Sequence, residues 1–225
     1  MHKQAHEWLR DYFNQRAVTI LIGQSGAGKG TQIPLLRQMC LDLTGQTLFT
    51  SISGDNFREY IPKATPYMQE VLSGTQDSGR LQPSAVAVSY ILRKMEEGYH
   101  GGPILLDGNP RRTVEAKTLH RIFHEWLGMP IHLLHLHVDD DEARRRLIKR
   151  NEDFIAEGKE PRKDSLSEES IKNKLAYYHH RVVPAIKWMG KKGHTVTSID
   201  ANKSIESVAS DIQTALVKYA YHHCK

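Results

Sequence analysis

The sequence predicts an α/β fold: a doubly wound, five-stranded parallel sheet flanked by helices. Three observations carry this expectation. Short apolar, β-branched runs alternate with segments of helical period along the whole chain. The first run, Ala17 to Ile22, empties into a glycine-rich turn, Gly23-Gln24-Ser25-Gly26-Ala27-Gly28-Lys29-Gly30-Thr31, which opens a helix. The third run, Pro103 to Leu106, ends on an acid, Asp107, where open α/β sheets place ligand groups.

The 225 residues, 39% hydrophobic and 25% charged, suffice for one core of ordinary make-up. Lys plus Arg number 31 against 26 Asp plus Glu, a net charge of +5. That excess suits a polyphosphate ligand as well as a nucleic acid and does not separate them. Two distant cysteines, Cys40 and Cys224, point to a reducing compartment and away from a disulfide framework or a cysteine-based zinc site. No stretch approaches the ~20 apolar residues of a membrane span. The first residues lack the apolar core of a signal peptide. The chain is expected to be cytoplasmic and monomeric, without nucleic-acid or membrane partners.

Residues 4–16 carry Trp8, Leu9, Tyr12 and Phe13 at i, i+1, i+4 and i+5, which predicts a short packing helix. The turn after the first strand matches the phosphate-loop spacing Gly23-x4-Gly28-Lys29. Gly30 stands where Ser or Thr ordinarily follows the lysine, and Thr31 comes one place later. Glycines let the backbone approach phosphate oxygens, and the new helix turns its N–H groups toward the anion. The helix that follows carries Ile33, Leu36, Met39 and Cys40 at helical spacing.

Thr47 to Ser53 reads as a second strand leading to Arg58 at a strand-to-helix junction. Residues 61–82, punctuated by Pro62, Pro66, Gly74 and Gly79, read as turns and short helices of a mobile flap. Pro83 opens a helix whose inner face is Val86, Tyr90, Ile91 and Met95. Asp107, after strand three, suits the water-mediated binding of a nucleotide's Mg²⁺ or a helix N-cap, and the two roles can coexist. A tight turn with two cations, Arg111 and Arg112, precedes a helix from Thr113 to Leu127.

Strand four, Ile131 to Val138, contains His132, His135 and His137; only His135 and His137 share a face, so packing is expected rather than a metal site. Asp139 to Arg150 is expected to be a helix with acids first and cations last, one or two of which reach the site. Residues 151–166, with Gly158 and Pro161, are expected to be a loop. A long helix from Ser167 to Met189 should kink at Pro184. His194 to Ile199 is the fifth strand, and Ile205 to Leu216 the last helix.

In this order the motifs Gly23 to Thr31, Ser53-Gly54-Asp55-x-x-Arg58, Gly79-x-Leu81-x-Pro83, Leu106-Asp107-Gly108-x-Pro110-Arg111 and Arg162-Lys163-Asp164 resemble the adenylate kinase family of nucleoside monophosphate kinases. The resemblance covers the chain after residue 16. It implies a P-loop NTPase-type sheet with a core of residues 17–53, 84–150 and 167–220, a flap for the nucleoside monophosphate (54–83) and a short lid (151–166).

The resemblance implies an ATP-dependent phosphotransferase, with AMP the leading acceptor and Mg²⁺ the cofactor. Gly26, Ala27, Gly28, Lys29, Gly30 and Thr31 would cradle the ATP phosphates, with Lys29 on the moving group. Arg150 would lie near the donor adenine and Lys203 by the donor base. Ser53, Arg58, Gly108 and Arg111 would take the acceptor phosphate, and Arg80, Leu81 and Gln82 would follow its base. Asp107 would organise the Mg²⁺ waters, while Arg162 and Lys174 would act on the phosphates from the lid side.

Four positions depart from the family pattern. Asn109 replaces an aromatic, Glu115 a glutamine that reads the AMP base, Ser165 a lid aspartate and Lys174 an arginine. A carboxylate at 115 only accepts, which suits guanine N1–H and N2–H₂ or a protonated ring; this keeps open GMP or UMP/CMP as acceptor. Ser165 and Lys174 motivate another alternative, a nucleotide-binding module with weakened catalysis.

Overall fold

The computed structural model describes residues 2–51, 60–76 and 81–224. Five parallel strands form the sheet: β1 (Val18–Gly23), β2 (Phe49–Ser51), β3 (Ile104–Asp107), β4 (Ile131–His137) and β5 (Thr195–Asp200). Their order is β2-β3-β1-β4-β5. β1 is central, with Leu21 beside Asp107 of β3 and beside Leu134 of β4. Connections leave β1 toward β2 on one side, and β4 and β5 extend the other. This switch point places the loop after β1 in the crevice where such sheets bind ligands.

Alternate residues of β1 feed two cores. Val18, Ile20 and Ile22 pack with Ile104, Leu106, Phe123 and Met189 on one face. Leu21 packs with Leu36, Cys40, Leu105 and Ile212 on the other. The period of two in the strand sequence is the cause. Helix α1 (His2–Asn14) closes the second core, with Tyr12 and Phe13 buried and Trp8 edge-on to Tyr221. Its expected packing role is what the structure shows.

Helix α2 (Lys29–Thr44) follows the glycine turn. A 3-10 turn at Ile61–Lys63 and helix α3 (Pro66–Gln76) lie in the described stretch of residues 60–76. Helix α4 (Ser84–Gly98) begins directly after Pro83. Helix α5 (Thr113–Leu119) continues as a π-helical stretch over His120–Trp126.

Three boundaries differ from expectation. Helix α6 (Asp140–Ala156) runs six residues past Arg150 into the segment read as a loop, because no breaker precedes Gly158 and Lys149 pairs with Asp153 one turn on. The long helix after Ser167 is α7 (Glu168–Tyr177), a π stretch at Tyr178–Val182 and α8 (Val183–Lys191), with Pro184 in the first turn of α8, where its missing N–H does least harm. The last helix, α9 (Ile205–His223), extends beyond Leu216 because Tyr219 and Ala220 continue its buried stripe.

Of the strand histidines, His132 and His135 pack within the protein, while His137 is exposed. His132 bonds Tyr12 at 3.2 Å and Thr197 at 2.9 Å, and His135 bonds the Tyr178 hydroxyl at 2.7 Å. No helix among the described residues is long and apolar enough to cross a membrane. Cys40 and Cys224 carry free thiols.

Candidate active site

The site begins where β1 runs out. Gly26 and Gly28 take φ of 89° and 85°, the left-handed region that favours glycine. A Cβ on Gly26 would come within 2.7 Å of the Ala143 carbonyl oxygen, so α6 is pressed against the loop. Gly30 faces open space, and nothing steric demands a glycine there. The Gln24 amide ties the loop to the end of β4 through the Val138 carbonyl at 2.7 Å. Thr31 lies in the first turn of α2, its N–H bonded to the Gly28 carbonyl.

Lys29 curls back over this loop. Its Nζ donates to the carbonyls of Gly23 (2.8 Å) and Gln24 (3.0 Å). Burial lowers its pKa to about 8; the positive fields of Arg111 and Arg150 push the same way, and Asp107 opposes them. Those four side chains therefore share one electrostatic neighbourhood. Asp107 is 7% exposed at the end of β3. It does not cap the next helix, since the N-cap of α5 is Arg112.

Gly108, at φ 68°, lies beneath both cations: a Cβ there would stand 3.5 Å from Lys29 Cε and 3.6 Å from Arg111 Nη2. Arg111 Nε donates to the Gly108 carbonyl at 3.0 Å. Glu115 accepts from the Arg111 backbone N–H at 2.7 Å. Arg112 turns the other way and donates to the carbonyls of Leu81 and Gln82.

The 151–166 segment is tied to the same place. Arg150 donates to the Ser165 hydroxyl at 2.9 Å. Buried Asn151 accepts from the Arg162 N–H at 3.1 Å and donates to the Ser165 carbonyl at 2.9 Å. The Arg162 guanidinium lies 5.5 Å from the Phe154 ring centroid. Lys174 Nζ pairs with Asp164 at 2.8 Å. Lys203 is exposed and pairs with Asp211 at 2.8 Å, while Gln32 bonds the Ile205 carbonyl at 3.0 Å and holds that loop against α2.

The structure thus brings together Gly26, Gly28, Lys29, Asp107, Gly108, Arg111 and Arg150, with Arg162, Ser165 and Lys174 on the adjoining segment. Ser53, Arg58 and Arg80 lie outside the described residues. Sequence reasoning missed Gln24 and Asn151 as site-building residues, and expected one or two of the α6 cations at the site without singling out Arg146. Arg146, one turn before Arg150, donates to the Gly26 carbonyl at 3.4 Å; its i−4 spacing from Arg150 was the available signal.

Cations gathered around a helix N-terminus and one buried carboxylate fit a polyphosphate. Comparison with known proteins gives the same direction. The family model described as adenylate kinase matches residues 21–194. The chain is 31% identical over 202 residues to an adenylate kinase of Thermobifida fusca, covering 88% of this chain and 96% of that one. It is 31% identical over 220 residues to an adenylate kinase of Methanococcoides burtonii, covering 89% and 98%. To an adenylate kinase of Deinococcus radiodurans it is 28% identical over 185 residues, covering 82% and 89%.

Proposed function

The chain belongs to the adenylate kinase family, and we propose that it transfers the γ-phosphoryl group of ATP to AMP, yielding two ADP. The observation that carries this reading is the convergence of Lys29, Arg111 and Arg150 on the loop after β1, with Asp107 at the end of the neighbouring strand.

In the reaction an AMP phosphate oxygen attacks the γ-phosphorus as its bond to the β-bridging oxygen breaks. Little covalent work falls to the protein; positioning and charge compensation do most of it. Lys29 leaves the carbonyls of Gly23 and Gln24 for the moving group's oxygens, and the loop N–H groups of residues 26–31 hold the donor phosphates. Arg111, with Ser53, Arg58 and Gly108, fixes the acceptor phosphate. Arg80, Leu81 and Gln82 follow its base. Arg150, Arg162 and Lys174 neutralise charge from the lid side, and Lys203 stays by the donor base.

Asp107 offers a buried hard-oxygen ligand beside Lys29, a donor suited to Mg²⁺ held through water. Held there, Mg²⁺ would supply positive charge to offset that of the donor phosphates. Residues 54–83 and 151–166 act as flap and lid, excluding water so that ATP is not hydrolysed. We read the protein as a cytoplasmic monomer; its two free thiols agree with a reducing compartment.

A coupled assay with ATP, Mg²⁺ and each of AMP, GMP, CMP and UMP tests the proposal. AMP is expected to give the highest kcat/KM. Absence of any diphosphate product with all four would overturn it.

A further inference from the structure

Glu115 occupies the first turn of α5 and is 2% exposed. One carboxylate oxygen, Oε2, accepts the Arg111 backbone N–H at 2.7 Å. The other, Oε1, accepts the Ser84 hydroxyl at 3.0 Å and stands 3.6 Å from the Arg112 guanidinium. That guanidinium donates to the carbonyls of Leu81, at 3.2 Å, and Gln82. One buried carboxylate therefore sits under two adjacent arginines that face opposite ways. Arg111 reaches back to Gly108 beside Lys29, and Arg112 reaches out to the chain entering α4.

Local chemistry explains the arrangement. The N-cap of α5 is Arg112, whose side chain has no oxygen to satisfy the helix's first N–H groups. Glu115, at the third helical position, folds back as the glutamate of a capping box does, but onto the N–H one residue earlier. The bond fixes the backbone from which the Arg111 side chain departs. The carboxylate meanwhile supplies the counter-charge that keeps the half-buried Arg112 on the Leu81 and Gln82 carbonyls.

We propose that Glu115 is a positioning residue for Arg111, and that Arg112 is a clamp joining the phosphate-side turn to the Leu81–Gln82 segment, so that Glu115 does not read the acceptor base. The proposal rests on the phosphotransfer reading above. At 2% exposure, with both oxygens engaged by the protein, the carboxylate has almost no surface left for a base edge. Arg111 gains a fixed origin, and displacement of such a group by about 1 Å costs on the order of 10²-fold in rate.

The test uses the full-length protein and the variants Glu115→Ala, Glu115→Gln and Arg112→Ala. Steady-state kinetics are measured with ATP, AMP and GMP, and thermal unfolding is recorded alongside. Glu115→Ala is expected to lower kcat/KM for AMP by roughly 10- to 100-fold, with the KM for ATP near wild type. Glu115→Gln, whose amide oxygen still accepts the Arg111 N–H, is expected to recover most of that loss. Arg112→Ala is expected to raise the KM for AMP more than it lowers kcat. In all three the AMP-to-GMP preference should stay within about twofold of wild type.

A change of roughly tenfold or more in that preference in Glu115→Gln would make Glu115 a base reader and overturn the proposal. So would wild-type kcat/KM in Glu115→Ala. If Glu115→Ala does not fold, the preference in Glu115→Gln and the KM shift in Arg112→Ala decide the matter alone. A wild-type protein inert toward every monophosphate would instead sink the phosphotransfer reading. Active wild type with unaltered variants sinks only the positioning role.

Discussion

Lys174 Nζ and a carboxylate oxygen of Asp164 stand 2.8 Å apart, with the two side chains 7% and 16% exposed. The pair bolts the 151–166 segment to α7. Breaking a buried pair leaves one charge without its partner, at a cost of about 3–5 kcal/mol. Lys174→Met should therefore destabilise by roughly 3 kcal/mol in denaturant titrations. The double variant Lys174→Met/Asp164→Asn should cost clearly less than the sum of the singles. Additive losses would show that the two residues act independently.

Lys29 supplies two expectations. Lys29→Met should lower kcat on the order of 10²–10³-fold, the usual loss when one preorganised donor at developing charge is removed. In the nucleotide-free protein the Lys29 pKa is lowered to about 8. Phosphate favours the charged amine, so the pKa rises on binding. ATP affinity should therefore be steady below pH 8, then weaken as the pH rises, with proton uptake on binding. Calorimetry between pH 7 and 9 in two buffers checks this, and Lys29→Met should flatten the profile.

Asn151 bonds both the Arg162 N–H and the Ser165 carbonyl from within α6. Asn151→Ala leaves two backbone groups of the lid segment without that partner, at about 1–3 kcal/mol each where buried. Its expected signature is a lower kcat at saturating ATP and faster proteolysis near residues 157–163. Unchanged kcat and unchanged proteolysis would remove Asn151 from the lid's support.

Burial lowers the pKa of His132 from 6.5 to about 3 and that of His194 from 6.5 to about 4, the latter helped by His120 and His124. Unfolded, both take a proton near pH 6.5; folded, they resist it. The unfolded chain thus binds more protons between those values, and stability falls as the pH drops below 6.5, by up to about 1.4 kcal/mol per unit for each histidine. Thermal unfolding should shift down between pH 7 and 5, and His194→Gln should reduce the slope.

The sheet was legible because strands such as Ile131 to Val138 combine β-branched or apolar residues with clear stops, and the loop Gly23 to Lys29 because its spacing has one physical use. Boundaries were less legible. Nothing local separates Arg150 from Ala156, and only the buried stripe through Tyr219 lengthens α9. Side-chain partners were not legible at all. Glu115 is four residues from Arg111 but 31 from Ser84, and Lys174 meets Asp164 only because α7 folds back on residues 151–166. Such pairings depend on tertiary packing, which periodicity does not encode.

The most direct measurement follows the label from ATP carrying ³²P at its γ position, mixed with AMP and Mg²⁺. Transfer between two nucleotides held in one cleft predicts ³²P in the β position of ADP, with this product lost in Lys29→Met and Arg111→Ala. Label appearing only as inorganic phosphate, or remaining wholly in ATP, would contradict it.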